Sequence, residues 1–233
     1  MSMLSLYRKY KKVKRMERFY GKLIPQNGLS FDIGANQGRY TVLFLRKSSK
    51  VIAVEPQQSC FDELVKQFNA DDRVVIIQSA IGSAISKGIL HIGLNNEVST
   101  LSQDFISAYS VYKYNSWPDQ EEVPITTLDQ LIAEYGIPDF CKLDIEGWEP
   151  EAFKGLSKEL PLVSFEYNFL LKPKAIECVK LLADKGNYLF NFSAYEECRF
   201  HSEQWMNEKV FSAFIGKMPP AILHGDIYAK SYK

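Results

Sequence analysis

The chain alternates between unbroken apolar runs and amphipathic segments. Leu29 to Ile33, Val51 to Val54, Val74 to Ile77, the apolar core of Phe140 to Ile145, and Leu162 to Tyr167 read as buried strands. Residues 39 to 46 and 58 to 69 read as helices between the first three, the second with Phe61, Leu64, Val65 and Phe68 on one face. Continuous apolar runs, unlike strict alternation, mark strands covered on both faces, as in a parallel sheet. The order strand, helix, strand therefore predicts an α/β, doubly wound, Rossmann-like sheet that binds ligands at the carboxyl ends of its strands.

The other segments complete this plan. Leu6, Tyr10, Val13, Met16 or Glu17, and Tyr20 recur at helical spacing, so residues 1 to 24 are predicted as an amphipathic helix ahead of a domain over 25 to 233. Gly88 to Ile92 reads as a short extra strand, and residues 93 to 122 lose periodicity. Phe105, Tyr109, Tyr112, Tyr114 and Trp117 stand there among polar residues, as in a substrate lid or a loop anchored by its own aromatics. A helix runs to Tyr135 and another spans 174 to 185, stopped by Gly186. Tyr188 to Phe192 and Val210 to Ile215 read as a closing hairpin pair, and 216 to 233 as a tail.

Composition narrows the class. With 233 residues, 46% of them hydrophobic, the chain can bury a substantial core. No apolar run approaches the roughly 18 residues that span a bilayer, and the basic N-terminus is unlike a signal peptide, so a cytoplasmic protein is expected. Cys60, Cys141, Cys178 and Cys198 are scattered without a C-x-x-C pair, which favours reduced thiols over zinc or disulfides. The net charge is zero, but residues 1 to 24 carry eight Lys and Arg against Glu17, so that segment is +7 and the remainder −7. A helix with its charges in water accounts for that asymmetry.

The candidate chemistry gathers at strand ends. Asp32-Ile33-Gly34-Ala35-Asn36-Gln37-Gly38 is a strand running into a glycine turn, where Gly34 and Gly38 permit a tight bend and a helix N-terminus offers N–H groups to a ligand. A dinucleotide fingerprint needs G-x-G-x-x-G around a pyrophosphate. Here the spacing is G-x-x-x-G, preceded by an acid that suits a cation or hydroxyl. Glu55, 23 positions after Asp32 and followed by Pro56, ends the second strand near the spacing at which an acid meets ribose hydroxyls. Ser79 and Ala80 are small enough to admit a flat ring. Lys142, Asp144 and Glu146 alternate along the fourth strand and so share a face, where buried charges must be paired or used.

Four motifs in order, Asp-Ile-Gly-Ala-Asn-x-Gly-x-x-Thr, Glu-Pro, Thr-Leu-Asp and Lys-Leu-Asp-Ile-Glu-Gly-x-Glu, resemble the FkbM family of class I S-adenosylmethionine-dependent methyltransferases over residues 29 to about 167. Gln37 departs from the family's usual aliphatic residue without touching anything essential. The resemblance implies a mostly parallel seven-stranded sheet with an antiparallel last strand. It also implies methyl transfer to a hydroxyl of a sugar, glycan or natural-product small molecule. On this reading Asp32, Gly34, Ala35, Asn36, Gly38, Thr41, Glu55, Pro56, Ser79 and Ala80 hold S-adenosylmethionine. Asp144, Glu146 and Glu166 are candidate bases, and Lys142 holds one acid ionised. The three acids could also converge on a divalent metal, although no ligand spacing compels one and none is predicted.

Three other readings share parts of this pattern. An NAD-dependent oxidoreductase is disfavoured by the missing third glycine and the preceding acid. A nucleic-acid methyltransferase would use the basic arm, but Asp-Ile-Glu-Gly is not an Asn or Asp followed by Pro-Pro-aromatic, and the acidic remainder repels phosphates. A non-catalytic cofactor-binding module would keep the fold alone. His91 reads as structural, and His201 and His224 lie outside every motif.

Overall fold

The computed structural model describes residues 3–112, 115–195 and 197–232; Tyr114 of the predicted aromatic set lies outside them, as do the side chains of Arg8 and Lys9. In chain order the strands are β1 (Leu29–Ile33), β2 (Lys50–Val54), β3 (Val74–Ile77), β4 (Ala80–Ile81), β5 (Ser86–Ile92), β6 (Asp119–Thr126), β7 (Phe140–Leu143), β8 (Leu162–Asn168), β9 (Tyr188–Ala194) and β10 (His224–Ser231). The helices are α1 (Met3–Leu23), α2 (Arg39–Phe44), α3 (Gln58–Phe68), α4 (Gln103–Tyr109), α5 (Leu128–Tyr135), α6 (Glu149–Lys154), α7 (Lys172–Ala183) and α8 (Glu208–Gly216). Seven strands form the main sheet in the order β3-β2-β1-β7-β8-β10-β9, and β4-β6-β5 form a smaller one.

The continuous apolar strands are the buried parallel ones. β1 pairs in parallel with both β2 and β7, and β7 with β8. Phe31, Ile52, Val54, Cys141, Leu143, Val163 and Phe165 meet α5, α6 and α7 in one core. On the other face α1 and α2 cover Val51, Phe140 and Tyr228.

The C-terminal quarter departs from the sequence reading. Residues 210–215 are helical, within α8, because Phe211, Ile215 and Met218 recur at i, i+4 and i+7 and Asn207 caps the helix, its Oδ1 accepting from Val210 N at 3.0 Å. The supposed tail supplies β10 instead, inserted antiparallel between β8 and β9. Asp226 and Lys230 disguise that strand, but Ile227 and Ala229 alternate into the core. The 93–122 segment is also not a bare loop, since it contains α4 and the start of β6.

The opening helix packs by its second half only. Met16, Phe19 and Tyr20 are buried, whereas Leu6, Tyr10 and Val13 of the same stripe are exposed. No helix among the described residues is long and apolar enough to cross a membrane.

Among the described residues, two hydroxyls of β8, those of Ser164 and Tyr167, are buried and unsatisfied. The Tyr167 hydroxyl is buried without a hydrogen-bond partner, and its ring meets Phe192 edge-on at 5.4 Å. An unmet buried hydroxyl is disfavoured. Tyr167→Phe is therefore expected to leave urea stability unchanged or raise it by about 1 kcal/mol; a loss of that size would mean the hydroxyl is used.

Candidate active site

A cavity of about 470 Å³ opens over the carboxyl ends of β1, β2, β7 and β8. Its floor is the turn after β1. Gly34 and Gly38 have φ of 78° and 81°, a region that disfavours side chains. A Cβ on Gly34 would strike the carbonyl oxygen of Asp144, and one on Gly38 the ring of Phe68. The two glycines thus let β1's exit lie against β7's and let α2 sit on α3.

Four of the turn's N–H groups serve the protein itself. Those of Gly34 and Ala35 donate to Val54 O at 2.9 and 3.0 Å, and that of Gly38 to Ala35 O at 2.8 Å. Asn36 N donates to Glu55 Oε2 at 2.8 Å. Asp32 is buried and does not line the cavity. Its Oδ2 accepts from Thr41 Oγ1 at 2.6 Å, and its carboxylate also accepts Thr41's backbone N–H. Asp32 and Thr41 therefore tie β1 to the first turn of α2, and the helix N-terminus faces this acid rather than the cavity. Burial lifts Asp32 to about 6, against the opposing effect of Thr41.

Glu55 does line the cavity, as do Gly34, Ala35, Asn36, Pro56, Ser79 and Ala80, while Gly38 lies behind it with Asp32 and Thr41. Both Glu55 oxygens accept one backbone N–H, from Asn36 and from Gln57, each at 2.8 Å. Each retains a lone pair for a hydroxyl. Burial raises Glu55 to about 7, with the two N–H bonds opposing. Ser79 Oγ donates to the carbonyls of Ala80 and Pro124, at 2.8 and 3.0 Å.

The acids of β7 and β8 converge beyond the Gly34 turn. Lys142 is fully buried, and its Nζ donates to Asp144 Oδ2 at 3.0 Å and to Asp226 Oδ1 at 3.2 Å, over the Tyr40 ring at 4.5 Å. Burial opposes its charge, but the two acids override it and raise its pKa well above that of an ordinary lysine. Asp144, Glu146 and Glu166 offer oxygens that all lie within 4.8 Å of one another. That separation also suits a shared divalent cation. Enclosure and neighbouring carboxylates raise Glu146 and Glu166 well above the usual range. Glu146 sits at φ 54°, an unusual value off glycine, and its carbonyl accepts Thr100 Oγ1 at 2.7 Å.

Segment 96–101 roofs the cavity. Gln57 Nε2 donates to Asn96 Oδ1 at 3.2 Å, Ser99 Oγ to Gln57 Oε1 at 2.9 Å, and Trp117 Nε1 to Val98 O at 2.8 Å. Phe105 stacks on Tyr109 at 4.5 Å, and Tyr109 OH bonds Asn168. The aromatics anchor the segment, and the segment covers the site. His91 is held between Gln103 and Gln120.

Sequence reasoning missed Asp226, Trp148, Tyr195 and His224, all of which line the cavity. His224, given no role, meets Tyr195 edge-on at 4.8 Å at the rim. Recognising β10 as a strand would have brought Asp226 and His224 to the site, but that depended on its tertiary neighbours.

The geometry predicts that acceptance of ligand hydroxyls by Glu55 depends on pH. S-Adenosylhomocysteine affinity is expected to rise about tenfold between pH 6 and pH 8, as Glu55 loses its proton through about 7 and becomes able to accept two hydroxyls. Folding stability runs the other way, because a raised carboxyl favours the folded state below its unfolded pKa and that contribution is lost as pH rises through 7. Glu55→Gln should bind about tenfold to a hundredfold more weakly at pH 8 and flatten the profile in calorimetry. An unchanged profile would mean that Glu55 accepts no ligand hydroxyl.

Residues 32–207 match the model of the methyltransferase FkbM domain. Among curated proteins none matches. The crystal structure of methyltransferase FkbM from Methylobacillus flagellatus KT aligns with a TM-score of 0.53 at 14% identity, over 87% of this chain and 43% of that one. The chain thus spans less than half the length of that relative. An O-methyltransferase from Bacillus cereus in complex with S-adenosylhomocysteine aligns with a TM-score of 0.49 at 13% identity, over 94% and 81%. A putative rRNA-methylase from Clostridium thermocellum has the same TM-score at 10% identity, over 95% and 96%.

Proposed function

The chain belongs to the FkbM family of S-adenosylmethionine-dependent methyltransferases, and from that premise we propose that it methylates a hydroxyl oxygen of a sugar, glycan or natural-product small molecule. The observation that carries this reading is the convergence of Asp144, Glu146 and Glu166 in one cavity with Glu55 and the Gly34 turn. Bound S-adenosylmethionine supplies a methyl group on a positively charged sulfur. Glu55 accepts the ribose hydroxyls, and the open backbone at Gly34 to Asn36 accommodates the amino-acid portion. Asp32 and Thr41 support the turn from behind.

The Glu146–Glu166 pair would take the proton of the acceptor hydroxyl while its oxygen bonds to the methyl carbon, the carbon–sulfur bond breaks and neutral S-adenosylhomocysteine leaves. Both carboxyls hold protons more tightly than free ones, so either of them, once ionised, is a stronger base than a free carboxylate. Lys142 fixes Asp144 beside them. The roof over 96–101 limits water and orients the reactants.

A neutral hydroxyl acceptor also suits the charge of this end. Lys142 is paired with Asp144 and Asp226, and Glu146 and Glu166 converge on Asp144, an acidic arrangement that disfavours a phosphate at the reacting position. Calorimetry with S-adenosylhomocysteine tests the cofactor half. A mass-spectrometric search for a gain of one methylene in glycosides and natural products tests the acceptor half. Heat of binding with transfer only to oligonucleotides would overturn the proposed acceptor class.

A further inference from the structure

α1 keeps the apolar strip of its first half off the domain. Leu6, Tyr10 and Val13 stand at i, i+4 and i+7 on one side of the helix and are 49%, 60% and 38% exposed, with Tyr7 exposed beside them. Where α1 meets the domain, Met16 and Tyr20 are buried. The strip before them is left in water.

The neighbouring side of the helix is basic. Lys11, Lys14, Arg15, Arg18 and Lys22 fall at i, i+3, i+4, i+7 and i+11, and among the described residues they line a cleft of about 620 Å³ in which no carboxylate takes part. Lys14 Nζ also reaches Glu17, outside that lining, at 2.9 Å. The ammoniums of Lys11 and Lys14 stand over the rings of Tyr7 and Tyr10 at 4.6 and 5.7 Å. The tyrosines therefore mark the seam between the apolar strip and the cations. Residues 1 to 24 carry +7 against −7 in the remainder, so the chain's positive excess is concentrated on this one helix.

An aliphatic and aromatic strip bordered by Lys and Arg is the arrangement of a helix lying in the plane of a lipid surface, with its apolar side chains among the acyl chains and its cations at anionic headgroups. Other occupants use only part of it. A nucleic acid would engage the cations and leave Leu6 and Val13 in water. A second copy meeting helix to helix would bring two sets of like charges together.

We propose that the first half of α1 is an interfacial helix that docks the protein on an anionic lipid bilayer. It lies on the bilayer and does not cross it. Docking there holds the edge of the cavity near the lipid, because Arg39, which lines the cavity, donates from Nη2 to the Sδ of Met16 at 3.3 Å, three positions beyond Val13.

The test is sedimentation of the full chain with vesicles of phosphatidylcholine alone and with vesicles in which about a third of the lipid is phosphatidylserine. The mixed vesicles are expected to bind at least about tenfold more tightly, and to release the protein at about 0.5 M salt, where exposed charges are screened. Leu6→Ser with Tyr10→Ser, and separately Lys11→Glu with Arg18→Glu, should each weaken that binding about tenfold or more. All four side chains are exposed, so both double variants should melt at the wild-type temperature. Equal binding of wild type to the two kinds of vesicle, or binding to neither, would overturn the assignment without recourse to any variant. So would undiminished binding by Leu6→Ser with Tyr10→Ser, since charge alone would then account for it. A dimer in sedimentation velocity that Lys11→Glu with Arg18→Glu dissolves, or tighter binding to a DNA duplex than to the mixed vesicles, would overturn it in favour of a second copy or a nucleic acid.

Discussion

Lys142→Ala is expected to lower folding stability by about 3 kcal/mol, the low end for a broken buried pair. For a chain of this size that is a fall of roughly 6–12 °C in Tm. The ammonium is fully buried and holds Asp144 and Asp226 at 3.0 and 3.2 Å. Its removal leaves two acids facing each other without a cation. The low end applies because the Asp144 side chain stays 32% exposed to the cavity, whereas that of Asp226 is 15% exposed.

The deficit should depend on pH. Asp226 is already raised by burial, with Lys142 opposing, so without the lysine its carboxyl rises further. A carboxyl raised in the folded state favours folding below its unfolded pKa and loses that contribution as pH rises through the folded value. The variant's shortfall should therefore widen from pH 5 to pH 8. Adding Asp144→Asn and Asp226→Asn to Lys142→Met should recover most of the loss. A single variant that melts within about 2 °C of wild type would mean that the three charges do not form a unit.

Glu166→Gln is expected to reduce kcat by about a hundredfold to a thousandfold while leaving S-adenosylhomocysteine affinity unchanged. Glu166 lies on the regular strand β8, so the substitution removes the titratable group without disturbing backbone. Its carboxyl is enclosed beside Glu146, Asp144 and Glu149. Relieving that crowding lets Glu146 ionise more easily, so the acid limb of the rate profile should move to lower pH as the rate falls. A rate loss with an unmoved limb would assign Glu166 to packing rather than to proton transfer.

The acids at the site fall into two kinds. Asp32, Asp144 and Asp226 are tied to partners within the protein, Asp32 to Thr41 and the other two to Lys142. Glu146 and Glu166 have carboxylates that converge with Asp144 on the cavity, and Glu55 keeps acceptor capacity on both oxygens. The first kind fixes the backbone that the second kind needs. The charged run at the end of β7 contains both, which is why Lys142, Asp144 and Glu146 resemble one motif in the sequence yet have different surroundings.

The sequence by itself determined β1, β2, β3, β7 and β8, their parallel packing, and the glycine turn after β1 with Glu55 and Asp144 at the ends of other strands. A strand buried on both faces has to be apolar along its length, so its signal is local and survives without context. Only the tertiary structure decided the rest. Val210 to Ile215 is apolar enough for a strand, but becomes α8 because Asn207 caps it and Phe211 and Ile215 share a helical face. The polar-looking end of the chain becomes β10 because an unfilled gap between β8 and β9 satisfies its backbone on both edges. Asp226 meets Lys142 across 84 positions, and Trp148 lies beside Gly82. No periodicity encodes such pairs, since which charge meets which follows from strand order and register.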